Sequence, residues 1–202
     1  MAATARPTTN ATTSVSPIDD PLAVYFRDDE VGRAQLALAA TTCGTERWTV
    51  KTASDDDRHQ IDSTTRDVSI KYLRGRHTPA TKPQTGRVAP VERTTYRIHA
   101  RLTEYVREDD GDYHLVLTDR HGRTIIAEIP DPKCVASISP LRAAIRTART
   151  HMDAHFGVTS GFKVANQRVL VRGVGFFDYF HGQTGMAPND LELHPVTGLH
   201  FR

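Results

Sequence analysis

Long apolar runs are missing from this chain. The longest, Leu36–Ala40 among them, have five residues, far short of the roughly 20 that a membrane-spanning helix needs, so no membrane partner is expected. Met1-Ala-Ala-Thr-Ala-Arg-Pro7 lacks the apolar stretch of a cleavable signal peptide, and the expected compartment is the cytoplasm. Net charge is also nearly absent: 26 Lys and Arg stand against 24 Asp and Glu, a formal +2. That excludes a protein coating nucleic acid by bulk charge, while leaving a local basic face open. Cysteine is scarce. Cys43 and Cys134 form no CxxC pair and sit beside no histidine at zinc-finger spacing, which argues against a structural zinc finger. One disulfide or two separate thiols remain as readings. Apolar side chains make up only 38%, so the core is expected to draw on part of the chain.

The thin part is the beginning. Residues 1–18 are Ala, Thr, Ser, Asn and Pro with few large apolar side chains, too little to offset the entropy of ordering, and a disordered tail is expected. Asp19-Asp20-Pro21 reads as a helix start, and 19–75 as a helical or extended segment. Within it, Arg47–Thr52 is a short strand candidate, and Asp67–Leu73 alternates weakly enough to suit strand or helix. Residues 76–93, with their prolines and threonines, read as a linker.

From Thr94 the pattern sharpens. Tyr96, Ile98, Ala100 and Leu102 alternate with Arg97, His99 and Arg101, the period of a half-buried strand. Turns at Glu108–Asp112 and Asp119–Gly122 separate further strands over 113–118 and 124–129. Ser139-Pro140 opens a helix whose apolar face is Leu141, Ile145, Ala148, Met152 and Phe156. Arg142, Arg146 and Arg149 form a basic stripe beside it, most simply a solvated face. Residues 168–178 and 189–196 are the last two strands. The fold expected over 94–202 is therefore mostly β: a five-stranded OB-fold-type barrel with one helix, preceded by a partly disordered N-terminal extension.

Three groups carry potential chemistry. The acidic turn before His114, including Asp112, could hold a hard cation, although it lacks EF-hand spacing and acidic turns are commonly just solvated. In the stretch from Phe176 to His194, His181, Asn189, Glu192 and His194 could ligate a metal or activate water. Their order is weakly similar to an HNH nuclease signature; the plain alternative is an ordered loop whose His and Asn satisfy backbone groups. In an OB-type barrel this loop borders the ligand face. Tyr113, Phe177, Tyr179 and Phe180 are stacking candidates there, with Arg97, Arg101 and Arg172 as phosphate partners. Weak metal candidates are Asp112, His114, His181 and His194.

Five segments, Cys43–Thr52, Gly111–Leu117, Ala127–Cys134, Gly173–Asp178 and His181–Pro195, resemble an uncharacterised family of small bacterial proteins. The resemblance spans about Cys43 to the C-terminus and implies no function. It implies a Cys43–Cys134 disulfide, because both cysteines lie in matching segments. It also implies export, since many members look secreted, whereas this chain has no basic or long apolar leader ahead of Cys43.

The leading functional expectation is a non-enzymatic binding module for single-stranded nucleic acid, working through the face of strands 113–118 and 124–129 and the loop before 189. The first alternative is a metal-dependent nuclease or phosphodiesterase using His181, Asn189, Glu192 and His194. The second is a protein-interaction domain without chemistry. No cofactor is required, and a divalent metal is compatible.

Overall fold

The computed structural model describes Met1 and residues 43–157 and 160–202; the tail and the helix start expected before residue 43 lie outside these. The described residues from 43 onward form one compact unit. It is mostly β, built around a six-stranded mixed sheet. The strands are β1 (Asp62–Asp67), β2 (Thr94–Arg107), β3 (Tyr113–Thr118), β4 (Thr124–Ile129), β5 (Lys163–Phe177) and β6 (Leu191–Phe201). The helices are α1 (Trp48–Lys51), α2 (Ile70–Arg74) and α3 (Arg142–His155). No helix among the described residues is long and apolar enough to cross a membrane.

The strands pair in the order β1-β2-β3-β4-β6-β5, and β2 pairs additionally with β5. β1–β2 and β4–β6 are parallel and the other ladders antiparallel. Side chains alternate across each strand, and one set builds the core: Tyr96, Ile98 and Leu102 of β2, Leu115 and Leu117 of β3, Ile125 and Ala127 of β4, Leu193 and Leu199 of β6. Helix α3 adds Ile145, Ala148 and Met152 to that core. It starts at Arg142 rather than at Pro140, because Ser139 Oγ donates to Thr52 O at 2.7 Å and fastens the helix approach to the segment near α1.

Three expectations need correction, and one open reading is resolved. Arg47–Thr52 is not a strand: Arg47 adopts φ 48 and starts the single turn α1, which Thr52 Oγ1 closes by donating to Trp48 O. The reason is Arg47 itself, fully buried, whose guanidinium forks onto both Glu92 carboxylate oxygens at 2.7 and 2.8 Å. Residues 76–93 are not a free linker, since Arg87 and Glu92 within them are buried and Arg87 forks onto Asp55. Asp67–Leu73 is both readings in turn: β1 ends at Asp67 and α2 begins at Ile70, with Ser69 Oγ accepting from Tyr72 N as its cap. Arg149 is not part of a solvated stripe; it is buried, donates to Gly111 O at 2.8 Å and lies 3.8 Å over the Tyr113 ring.

Candidate functional site

Two regions hold the chemistry. The first is the outer face of the β2–β5 ladder. Arg97, His99 and Arg101 share this face by strand alternation, and the register sets Arg97 opposite Arg172 and Arg101 opposite Arg168. Arg97 is neutralised by Asp67 at 2.6 Å. Arg101, Arg168 and Arg172 take part in no salt bridge among the described residues. Arg101 and Arg172 hydrogen-bond only neutral oxygens, of Asn166 and Thr197. An open groove of about 1070 Å³ adjoins this face, lined by Lys71, Arg101, Arg120, Arg123, Arg168 and Arg202, with His99 and His121 and a single acid, Asp119. Asp119 already holds Arg123 at 2.7 Å. A smaller groove of about 340 Å³ holds Arg97, Arg172, His151 and His200. The structure thus brings the expected Arg97, Arg101 and Arg172 onto one surface. Periodicity pointed to them; Lys71, Arg120, Arg168 and Arg202 went unnoticed because the helix, turn, strand and terminal segment carrying them become neighbours only through the fold.

The aromatic candidates behave differently. Tyr113 and Phe177 are 0% and 1% exposed, so neither ring can stack on a base; both point into the core, where alternation puts half of any strand. Tyr179 is half-buried, its hydroxyl donating to Lys82 O and accepting from Gln84 Nε2. Phe180 alone of the four is well exposed, at 75%.

The expected binding face, the outer side of β3 and β4, is corrected as well. His114, Val116, Ile126 and Glu128 point outward there and are nonetheless buried. The chain covers them with its own loop 178–190: Thr184 O binds His114 Nε2 at 2.8 Å, and a Cβ on Gly185 would lie 2.7 Å from Val116 Cγ1. Lys51 of α1 reaches Asp178 at 3.1 Å on the same side, and Cys43, just before α1, is disulfide-bonded to Cys134.

Beneath this cover lies the second region, a buried carboxylate–histidine cluster. His114 and Glu128 are cross-strand partners, with Nδ1 3.1 Å from Oε1; Glu108 is 3.3 Å from the same nitrogen. His194 Nδ1 is 3.0 Å from Glu128 Oε2 and 3.2 Å from Glu192 Oε1. On its other side, His194 Nε2 is 3.6 Å from Asp112 Oδ2, and neither atom has a hydrogen-bond partner. Burial pushes Asp112 up to about 8, and burial with repulsion from Glu128 and Asp178 pushes Glu192 up to about 7. Burial opposes the charged form of His194, but Glu128 and Glu192 prevail and raise it to about 10; for His114, Glu108 and Glu128 do the same. Glu128 is lowered against its burial by the two imidazoles. Ions paired this way keep their charge in a dry environment.

The four candidates for hydrolytic chemistry are not assembled. Glu192 and His194 meet in the cluster. Asn189 instead donates from Nδ2 to Leu73 O and Arg76 O, both at 2.9 Å. His181 is near the surface, 2.8 Å from Glu46. Among the metal candidates, Asp112 and His194 converge with Glu128, His114 groups with Glu108 and Glu128, and His181 groups with Glu46 and Asp178. Sequence reasoning missed Lys51, Glu128 and Asp178, whose only signal was a polar residue interrupting or ending an apolar strand. No family model matches the chain, and none of the curated proteins is similar to it.

Proposed function

We propose that this protein is a binding module for single-stranded nucleic acid, built on an OB-type barrel and working through the outer face of β2 and β5. The observation that carries the reading is the pair of arginine oppositions, Arg97 with Arg172 and Arg101 with Arg168. Like charges directly opposite on a ladder destabilise it, and three of these four guanidiniums have no carboxylate partner among the described residues. Such a surface attracts a polyanion, whose phosphates supply the missing countercharge. The barrel reading is supported by pairing order: β2-β3-β4-β6-β5 returns to β2 with the helix between β4 and β5, the order expected of an OB-type barrel. Buried Tyr113 and Phe177 make the binding mainly electrostatic, with little base stacking beyond Phe180.

The test is a fluorescence-anisotropy titration of labelled single-stranded DNA and RNA at two salt concentrations. Four phosphate contacts give a log–log slope of about −3, so affinity falls by about 50-fold between 50 and 200 mM salt. Arg101→Ala with Arg168→Ala flattens that slope by about 1.4. Salt-independent binding, or full affinity in the double variant, overturns the proposal. A gel of the same samples checks that the strand stays intact; cleavage dependent on divalent metal would favour the hydrolytic alternative.

A further inference from the structure

The cluster under loop 178–190 has features that the arginine face does not explain. Five carboxylates, Glu108, Asp112, Glu128, Asp178 and Glu192, meet one lysine, Lys51, and two imidazoles, His114 and His194. Lys51 is engaged by Asp178 at 3.1 Å. All but Glu108 are buried, and burying four carboxylates is costly without matching positive charge. Two atoms are also left over at one point. Asp112 Oδ2 and His194 Nε2 are enclosed, lack hydrogen-bond partners, and face one another at 3.6 Å. The residues bearing them are both 0% exposed.

That separation is too long for a hydrogen bond. It is close to the edge of a coordination tetrahedron, about 3.4 Å for ligands 2.0–2.2 Å from an ion. Asp112, Glu128 and His194 each bring a ligand-type atom within 4.8 Å of the others. The shell behind them has the form that metal sites use. Glu192 holds His194 Nδ1, which fixes the ring and turns Nε2 inward. Asp112 Oδ1 accepts from Asp131 N at 2.8 Å, which turns Oδ2 toward the same point.

We propose that Asp112, Glu128 and His194 form a buried site for a divalent transition-metal ion, with His194 Nε2 and Asp112 Oδ2 as its fixed ligands; Glu128, which lies 3.0 Å from His194 Nδ1 on the other side of the ring, becomes the third by turning away from that nitrogen. An imidazole with two carboxylates suits zinc and its neighbours. Calcium and magnesium prefer six or more oxygens, or several retained waters. The ion takes the position of the proton that an imidazolium would carry on Nε2, and its two charges offset two carboxylates. Because cover and sheet seal the site, the ion is taken up as the chain folds and is retained afterwards. It joins the turn before β3 to β4 and β6 on their outer face, so its role is to brace the sheet beneath the cover rather than to meet a substrate.

The experiment uses the full chain with its disulfide oxidised. The protein is unfolded in denaturant with EDTA, then refolded either with EDTA or with Zn²⁺, dialysed against EDTA and analysed for metal and melting temperature. About one zinc per chain should survive dialysis of the zinc-refolded sample, with a higher melting temperature than the metal-free sample. Asp112→Asn, which keeps the bond from Asp131 N, should lose the ion. His181→Ala should keep it, which separates this site from the group of Glu46, Asp178 and His181. If Asp112→Asn does not refold, resistance to EDTA together with retention in His181→Ala decides. The proposal fails if both refolded samples are metal-free with equal melting temperatures, if the zinc washes out of folded protein, or if it is lost in His181→Ala.

Discussion

Arg101 and Arg168 stand directly opposite one another across the antiparallel β2–β5 ladder. Facing like charges cost a ladder stability, and facing opposite charges add about 0.2–1 kcal/mol. Arg168→Glu should therefore raise the melting temperature slightly while weakening single-stranded DNA binding. A thermal melt beside an anisotropy titration checks both halves. A variant that binds as well as the parent would remove the ladder from the interface, whatever its stability.

Glu92 is the most heavily used carboxylate among the described residues. It takes both guanidinium nitrogens of Arg47 and the backbone N–H groups of Val88 and Phe177. Glu92→Gln leaves Arg47 charged and buried without its countercharge, a loss of about 3–5 kcal/mol. Urea unfolding should show it as an earlier midpoint with an unchanged slope. A shift below 1 kcal/mol would mean that Arg47 finds another partner.

Gly185 occupies φ +88, and an added Cβ would meet Val116 at 2.7 Å. Gly185→Ala is expected to lift loop 178–190 from β3 and to cost about 1–3 kcal/mol. Hydrogen exchange should report the loss locally, with faster exchange in the loop and near His114 and little change along β2 and β5. Uniformly faster exchange would instead indicate global destabilisation.

Replacing Cys43 and Cys134 together by serine opens a closure 91 residues long in sequence. The chain-entropy relation puts the loss at about 4–5 kcal/mol. Chemical denaturation of the oxidised parent and the double variant measures it. Equal stabilities would show that the cover is held by its other contacts.

How much of this was legible in the sequence follows from how many faces each strand buries. β2 buries one face for much of its length, so Tyr96, Ile98 and Leu102 alternate visibly with Arg97, His99 and Arg101, and both the strand and its basic face could be read directly. β3, β4 and β6 bury both faces. There His114, Glu128, Glu192 and His194 sit at outward positions, which periodicity assigns to solvent. Their cover comes from residues 43–55 and 178–190, remote in sequence from β3 and β4, and no local pattern announces it. Arg47–Thr52 misled for a related reason: its β-favouring composition is overruled by one long-range ion pair, Arg47 with Glu92. The stacking candidates failed where alternation could not say which half of each strand faces inward, as with Tyr113 and Phe177.

The Cys43–Cys134 bond turns residues 43–134 into a covalent ring that includes β1, β2, β3, β4 and the exposed turns at Asp109 and Gly122. A protease cutting either turn would open the ring without dividing the molecule. Both fragments would run together on a non-reducing gel and part only when a thiol is added. A cut beyond residue 134, for example between α3 and β5, has no such safeguard. The protein thus has one half that tolerates nicking and one half that does not, with the boundary at a single sulfur atom.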